Sequence, residues 1–157
     1  MKVINISTDR RIFDSESAVH ARMKEYGTLF DELHIVVFSL NKNKNKKIQI
    51  SRNVWAYPTN SLFRLSYIFG AYFIARRIYK KILTKKDIIV STQDPFETGI
   101  VGWFFKKTTR IRLNVQIHTD IFSPYFKKHS LLNRIRVFFG PSIIKSADSI
   151  RVVSDRL

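Results

Sequence analysis

Asp87-Ile88-Ile89-Val90-Ser91-Thr92-Gln93-Asp94-Pro95-Phe96-Glu97 holds a strand, a polar loop and a helix start in one short stretch. Ile88-Ile89-Val90 is apolar and β-branched, so Asp87–Ser91 reads as a buried strand. Asp94 can cap a helix, Pro95 suits its first position, and Glu97 completes a capping box. A helix is therefore expected from here to about Lys107.

The same order repeats outward in both directions. Towards the C-terminus, Arg110–Ile117 reads as a strand with Leu113, Val115 and Ile117 facing inward. Ser130 caps a further helix, which Gly140-Pro141 should kink or restart. Ile150–Val153 reads as a last strand. Towards the N-terminus, the segment from Ser61 to about Thr84 reads as one long helix. Its first half is apolar nearly all round and its second half is basic. Ile48–Ile50 and Val54–Tyr57 are short strands, either one bent strand or a hairpin, and Asn41–Lys47 is an exposed loop. Leu33–Leu40 has the continuous apolar run of a parallel strand covered on both faces. A helix over Asp14–Tyr26 has Asp14, Ser15 and Ser17 as competing caps, Gly27 as its stop, and Ala18, Met23 and Tyr26 as core contacts. Val3–Ser7 is the opening strand. Alternation of this kind specifies an α/β fold: one Rossmann-like domain over residues 1–157, with a parallel sheet, right-handed crossovers and helices on both faces.

Composition narrows the function. The 157 residues are 45% hydrophobic, enough for one core and too apolar for disorder. No cysteine is present, which excludes disulfides and thiolate metal sites. The opening residues lack the apolar run of a secretory signal, so a cytoplasmic location is expected. Residues 1–40 carry five Lys/Arg against six Asp/Glu, and residues 41–157 carry 23 against six. A C-terminal part this basic predicts an anionic partner, namely anionic lipid, nucleic acid or a phosphorylated substrate; the plain alternative is a solvated lysine-rich surface. Arg64 interrupts the apolar half of the long helix and leaves it short of the ~20 residues a bilayer requires.

Ligands of such sheets bind at the carboxyl ends of the strands. That selects the loops Ser7–Arg11, the one after Leu40, Thr92–Pro95 and His118–Pro124. No glycine-rich nucleotide fingerprint, phosphate loop, nucleophile elbow or metal-ligand spacing of histidines occurs, so no cofactor and no metal are expected. His118 and Asp120 lie two apart past a strand end and should share a side. They can bind sugar hydroxyls or hold a hydroxyl proton, or instead cap the strand end and the next turn. Arg10 and Arg11 can grip a phosphate bidentately, although their position alone favours two solvated arginines. Thr92 and Gln93 offer hydroxyl and amide groups, while Asp94 is already explained as a cap. Basic aromatic segments suit a membrane interface: Arg76, Arg77, Lys80 and Lys81; Phe104, Phe105, Lys106 and Lys107; Phe126, Lys127 and Lys128, with Arg134, Arg136, Phe138 and Phe139 continuing them. Nucleic acid would accept the same pattern.

Three segments carry a resemblance. VINISTDRRIF (Val3–Phe13), VQIHTDIFSP (Val115–Pro124) and SADSIRVVSDRL (Ser146–Leu157) make the chain similar to the N-terminal, acceptor-side domain of GT-B glycosyltransferases of the family 4 type. Family members often carry glycines in the first loop, where this chain has Arg10 and Arg11. The resemblance implies a retaining, metal-free hexose transfer from a nucleotide-sugar donor to a lipid-linked or glycan acceptor, as in cell-envelope polysaccharide synthesis. It implies that His118 and Asp120 act catalytically and that Thr92, Gln93 and Thr119 meet the acceptor. It assigns phosphate to Arg10 and Arg11. It places the protein peripherally on the inner face of the cell membrane, with nucleic acid the lesser partner. The donor-binding domain lies outside these residues, so the half alone is expected to be inactive. A non-catalytic subunit of a two-chain transferase and a nucleic-acid-binding domain are the competing readings.

Overall fold

The computed structural model describes residues 1–82, 86–118, 120 and 123–152. In chain order they form β1 (Lys2–Ser7), α1 (Ala18–Tyr26), β2 (Glu32–Val37), β3 (Ile48–Ser51), β4 (Val54–Pro58), α2 (Tyr67–Lys81), β5 (Ile88–Thr92), α3 (Glu97–Thr109), β6 (Arg112–Ile117), α4 (Pro124–Lys128), α5 (Leu131–Ser146) and β7 (Ser149–Val152). The strands make one sheet in the order β3-β4-β2-β1-β5-β6-β7. All neighbours are parallel except β3 and β4, which form an antiparallel hairpin at one edge. The protein is a Rossmann-like α/β domain. The chain leaves β1 in one direction towards β2 and β4, then returns to β5 on the other side. The crevice between the carboxyl ends of β1 and β5 is therefore the topological switch point.

The two faces of the sheet are covered unequally. On one face α2, α3 and α5 bury Ala71, Ala75, Val101, Phe105 and Ile143 against Ile4, Ile6, Val36, Val90, Leu113 and Val115. Each large side chain buried there contributes about 1.5–3 kcal/mol. The close approach of α3 depends on Gly102, where an added Cβ would stand 2.5 Å from Thr92 Cγ2 and 2.7 Å from Leu113 Cδ1. On the other face α1 packs beside a 3-10 turn at Arg10–Phe13, which contributes Ile12. The helix packs Val19, with Met23 and Tyr26 beside it, over Val3, Leu33, Ile35, Val54 and Ala56.

Several local expectations are corrected. Ala18 is exposed, and Val19 takes the core position expected of it. Gly27 does end α1, but with a right-handed φ of −57°. Glycine is needed there because a Cβ would meet Val54 Cγ2 at 2.5 Å. The long helix begins at Tyr67 rather than Ser61, after a 3-10 turn at Arg64–Ser66. Ser61 cannot start it, because its amide donates to Ser39 O and its carbonyl accepts from Asn41 N, both at 2.9 Å. The expected end near Thr84 lies outside the described residues. The capping box at α3 does not form. Asp94 Oδ1 accepts from Phe96 N at 2.8 Å in a turn before the helix, and Phe96 is the N-cap with no side-chain cap bond. Glu97 instead takes a bidentate bond from Arg136 Nε and Nη2 at 2.9–3.2 Å; a charge-assisted fork outcompetes a single backbone amide. Pro141 sits inside α5, which neither ends nor restarts there.

Candidate functional site

On the second face, beyond the reach of α1, the sheet turns polar. Asn5 on β1 stands opposite Ser91 on β5, Ser91 opposite Asn114 on β6, and Asn114 opposite Ser149 on β7. One residue pair further on, Gln116 stands opposite Arg151. Successive strands thus place a row of amides and hydroxyls across the half of the sheet that α1 leaves uncovered, where apolar side chains would otherwise serve.

These groups are joined in a directed chain. The Nε2 hydrogen of His118 goes to Gln116 Oε1 at 3.2 Å. Gln116 Nε2 donates to Ser91 Oγ at 3.2 Å, Ser91 Oγ donates to Asn114 Oδ1 at 3.1 Å, and Asn114 Nδ2 donates to Ser149 Oγ at 2.9 Å. Because an amide oxygen only accepts, this arrangement assigns the proton of His118 to Nε2 and leaves Nδ1 as the ring's acceptor. Asn5 Oδ1 is buried and makes no hydrogen bond among the described residues. A buried acceptor without a donor costs about 1–3 kcal/mol, so a donor from outside the protein would be stabilised there.

Asn5 and Ser91 of this row, together with Gln116, floor a cavity of about 670 Å³ at the switch point. Val3, Ile12, Val19 and Leu33 make its apolar wall under α1, and Ser7, Asp9 and Gln93 line its rim. Arg22 from α1 and Arg151 from β7 supply its cations. Burial first, then the Arg151 charge, hold the His118 ring below its ordinary value; the Asp94 carboxylate opposes this and Arg22 adds to it. These influences favour the neutral form of the His118 imidazole.

The expected site residues separate into those at the cleft and those elsewhere. His118 lines it. Asp120 Oδ1 accepts from Ser123 N at 3.1 Å, at the turn into α4. Gln93 crosses the switch point: its Oε1 accepts from Ser7 Oγ at 2.9 Å and from Thr8 N at 2.7 Å, which leaves its NH2 to offer. Thr92 is corrected, because it is fully buried and turned towards Gly102 on the opposite face. Thr119 lies outside the described residues. The phosphate assignment to Arg10 and Arg11 meets competing bonds: Arg10 Nε donates to Phe38 O at 3.2 Å, and Arg11 pairs with Asp9 at 3.4 Å. The cations at the cleft are Arg22 and Arg151, which the sequence reading passed over. Alternation in Arg112–His118 carried the missing signal, since Asn114, Gln116 and His118 share the face opposite Leu113 and Val115.

The membrane-surface residues divide as well. Phe104, Lys107 and Lys128 are exposed, as are Arg77, Lys80 and Lys81, and Arg76 is half-buried. Lys107 lies over the Trp103 ring at 5.8 Å. Phe105 is corrected: it is a fully buried core residue. Lys106 is tied to Asp148 at 2.7 Å and to Ser146 O at 2.8 Å. Phe126 stacks on Phe96 at 5.5 Å, and Arg136 lies 5.2 Å over that same Phe96 ring. The side chain of Lys127 lies outside the described residues. Among the described residues no helix is long and apolar enough to cross a membrane. Comparison with protein-family models and with curated proteins gives no match for this chain.

Proposed function

We propose that the switch-point cleft binds a sugar-bearing, phosphorylated ligand, and that the chain is the acceptor-side domain of a glycosyltransferase. The observation that carries this reading is the in-register polar row, of which Asn5 and Ser91 line the cleft beside Gln116 while Asn114 and Ser149 continue its hydrogen bonds, with the unpartnered Asn5 Oδ1 at its head. A ligand rich in hydroxyls both donates and accepts, as such a row requires. Arg22 and Arg151, both lining the cleft, suit a phosphate, and the wall under α1 suits an apolar aglycone or ring face. His118 Nδ1 accepts the hydrogen of a sugar hydroxyl, and Gln116 fixes the ring for that task. In the transfer itself the acceptor oxygen bonds the donor's anomeric carbon as the nucleoside diphosphate leaves. A second domain or partner chain would hold that donor. The exposed Phe104, Lys107, Lys80 and Arg77 favour a lipid-linked acceptor met at an anionic membrane surface. Nucleic acid is less favoured, because Lys106 and Arg136 are engaged by Asp148 and Glu97.

The test is a titration of the chain with a hexose 1-phosphate, the same hexose alone and inorganic phosphate, followed by the side-chain amide resonances of Asn5, Asn114 and Gln116. Saturable shifts that are strongest for the sugar phosphate are expected. Absence of saturable shifts with all three would overturn the reading.

A further inference from the structure

A second cavity, of about 720 Å³, lies on the opposite face of the sheet, between α2 and the β2–β4 edge. Lys2, Lys46, Lys47, Arg77 and Lys81 line it, with Glu32 as its carboxylate. Glu32 is already engaged, by Lys2 at 2.8 Å and by His34 at 3.1 Å. Lys46, Lys47, Arg77 and Lys81 have no ion pair among the described residues. Four cations therefore converge on one cavity without neutralisation. Its interior is built rather than incidental. The His34 ring is buried and stacks on Trp55 with centroids 4.8 Å apart. Its Nδ1 accepts from Tyr57 Oη at 3.1 Å while Nε2 donates to Glu32. Lys47 Nζ sits 5.0 Å over the Tyr57 ring, which holds the lysine stem at the cavity wall. Ile74 and Ile78 form an apolar side. Along α2, Phe69, Phe73, Arg77 and Lys81 recur every four residues, so one exposed stripe runs from two aromatic rings to two cations of the cavity.

We infer that this cavity is a second ligand site, separate from the switch-point cleft, which takes a phosphate monoester carried on an apolar group. Four cations match the two charges of a monoester better than the single charge of a diester, and Ile74, Ile78 and Phe73 receive the apolar portion. The phosphate can come from a lipid headgroup or from a soluble ester.

Trp55 reports on the site. In the full chain carrying Trp103→Phe, its emission is followed at physiological salt on adding inorganic phosphate, vesicles with phosphatidic acid, or vesicles of equal charge with phosphatidylglycerol. A saturable change with phosphatidic acid alone establishes the site with a lipid source. An equal change with inorganic phosphate establishes it with a soluble source. The double variant K47Q/R77Q should weaken either response at least tenfold while its thermal melt stays that of the parent. H118A and R151Q, in the other cleft, should leave the response unchanged, which separates this site from the proposed function. Equal responses to the two lipids, no saturable change with any probe, or equal weakening by the exposed pair K24Q/K145Q would overturn the inference.

Discussion

Gln116 takes the Nε2 hydrogen of His118 at 3.2 Å, and by doing so decides which ring nitrogen faces a ligand. Replacing Gln116 with Leu removes that decision while the ring stays in place. In an assembled transferase, with the donor-binding part supplied, H118A should cut turnover by at least ~100-fold. Q116L should cut it by ~10-fold, through tautomer and ring orientation, with KM for the acceptor rising less than kcat falls. Unchanged turnover in H118A would reject the assigned role.

The charge state of His118 gives a second prediction. Burial and the Arg151 and Arg22 charges hold the ring neutral to lower pH than usual. R151Q should therefore raise its titration midpoint, and Q116E should raise it further by placing a carboxylate at the Nε2 hydrogen. Imidazole resonances followed across pH 4.5–8 by NMR measure both shifts. A midpoint that falls in R151Q would contradict the electrostatics.

Asn5 predicts an opposition between stability and binding. Its Oδ1 is buried without a donor, so N5L should leave unliganded stability within about 1 kcal/mol of the parent or raise it. The same change should abolish binding of a sugar phosphate. Urea denaturation and the titration described above supply the two readings, and a variant that is both destabilised and still binding would refute the assignment.

Gly102 should accept no side chain. G102A brings a Cβ against Thr92 and Leu113 at distances no relaxed pair adopts. A loss of about 1–3 kcal/mol is expected from forcing α3 off the sheet. The midpoint of chemical denaturation measures it, and G27A, which meets Val54 in the same way, should behave alike.

His34 makes stability depend on pH. Burial is the main reason its pKa is lowered, outweighing the bond to Glu32, so the unfolded chain binds its proton more readily than the folded one. Stability should then rise with pH through the window just below the ordinary imidazole value and level off above it. Glu32 does not obscure this. Burial pushes its carboxyl up, but the bonds from Lys2 and His34 outweigh burial and confine its titration to lower pH. Thermal melts between pH 5 and pH 7.5 should show the slope, and H34Q should reduce it, leaving the part that His118 contributes.

How far the sequence could be read depended on whether a signal was local. Strand identity was local: the apolar runs at Val3–Ser7, Leu33–Leu40 and Ile88–Val90 each place a strand within a few residues. Helix starts were less so, because Ser61 and Glu97 find partners remote in sequence, at Ser39 and Arg136. The cleft depended on register, which no single segment contains. Asn5, Ser91, Asn114 and Ser149 look like ordinary polar interruptions until parallel pairing lines them up. Arg22 and Arg151 were overlooked for the same reason, since one is on a helix and the other on the far edge strand. Phe105 was misplaced because α3 alternates buried and exposed aromatic rings within three residues, and only packing against Leu113 and Tyr79 separates Phe105 from Phe104.

The edge strand β7 is exposed at all four of its positions, and among the described residues its only sheet neighbour is β6. A strand so thinly held should exchange its amide hydrogens through local opening, at rates far above those of β1 or β2. Arg151 lines the cleft from it, and Gln116 opposite it on β6 does the same, so an occupant gripping both would be tied to β6 and β7 together. Occupancy would then be recorded in the exchange clock of the sheet's weakest strand, readable even when no chemical step can be followed.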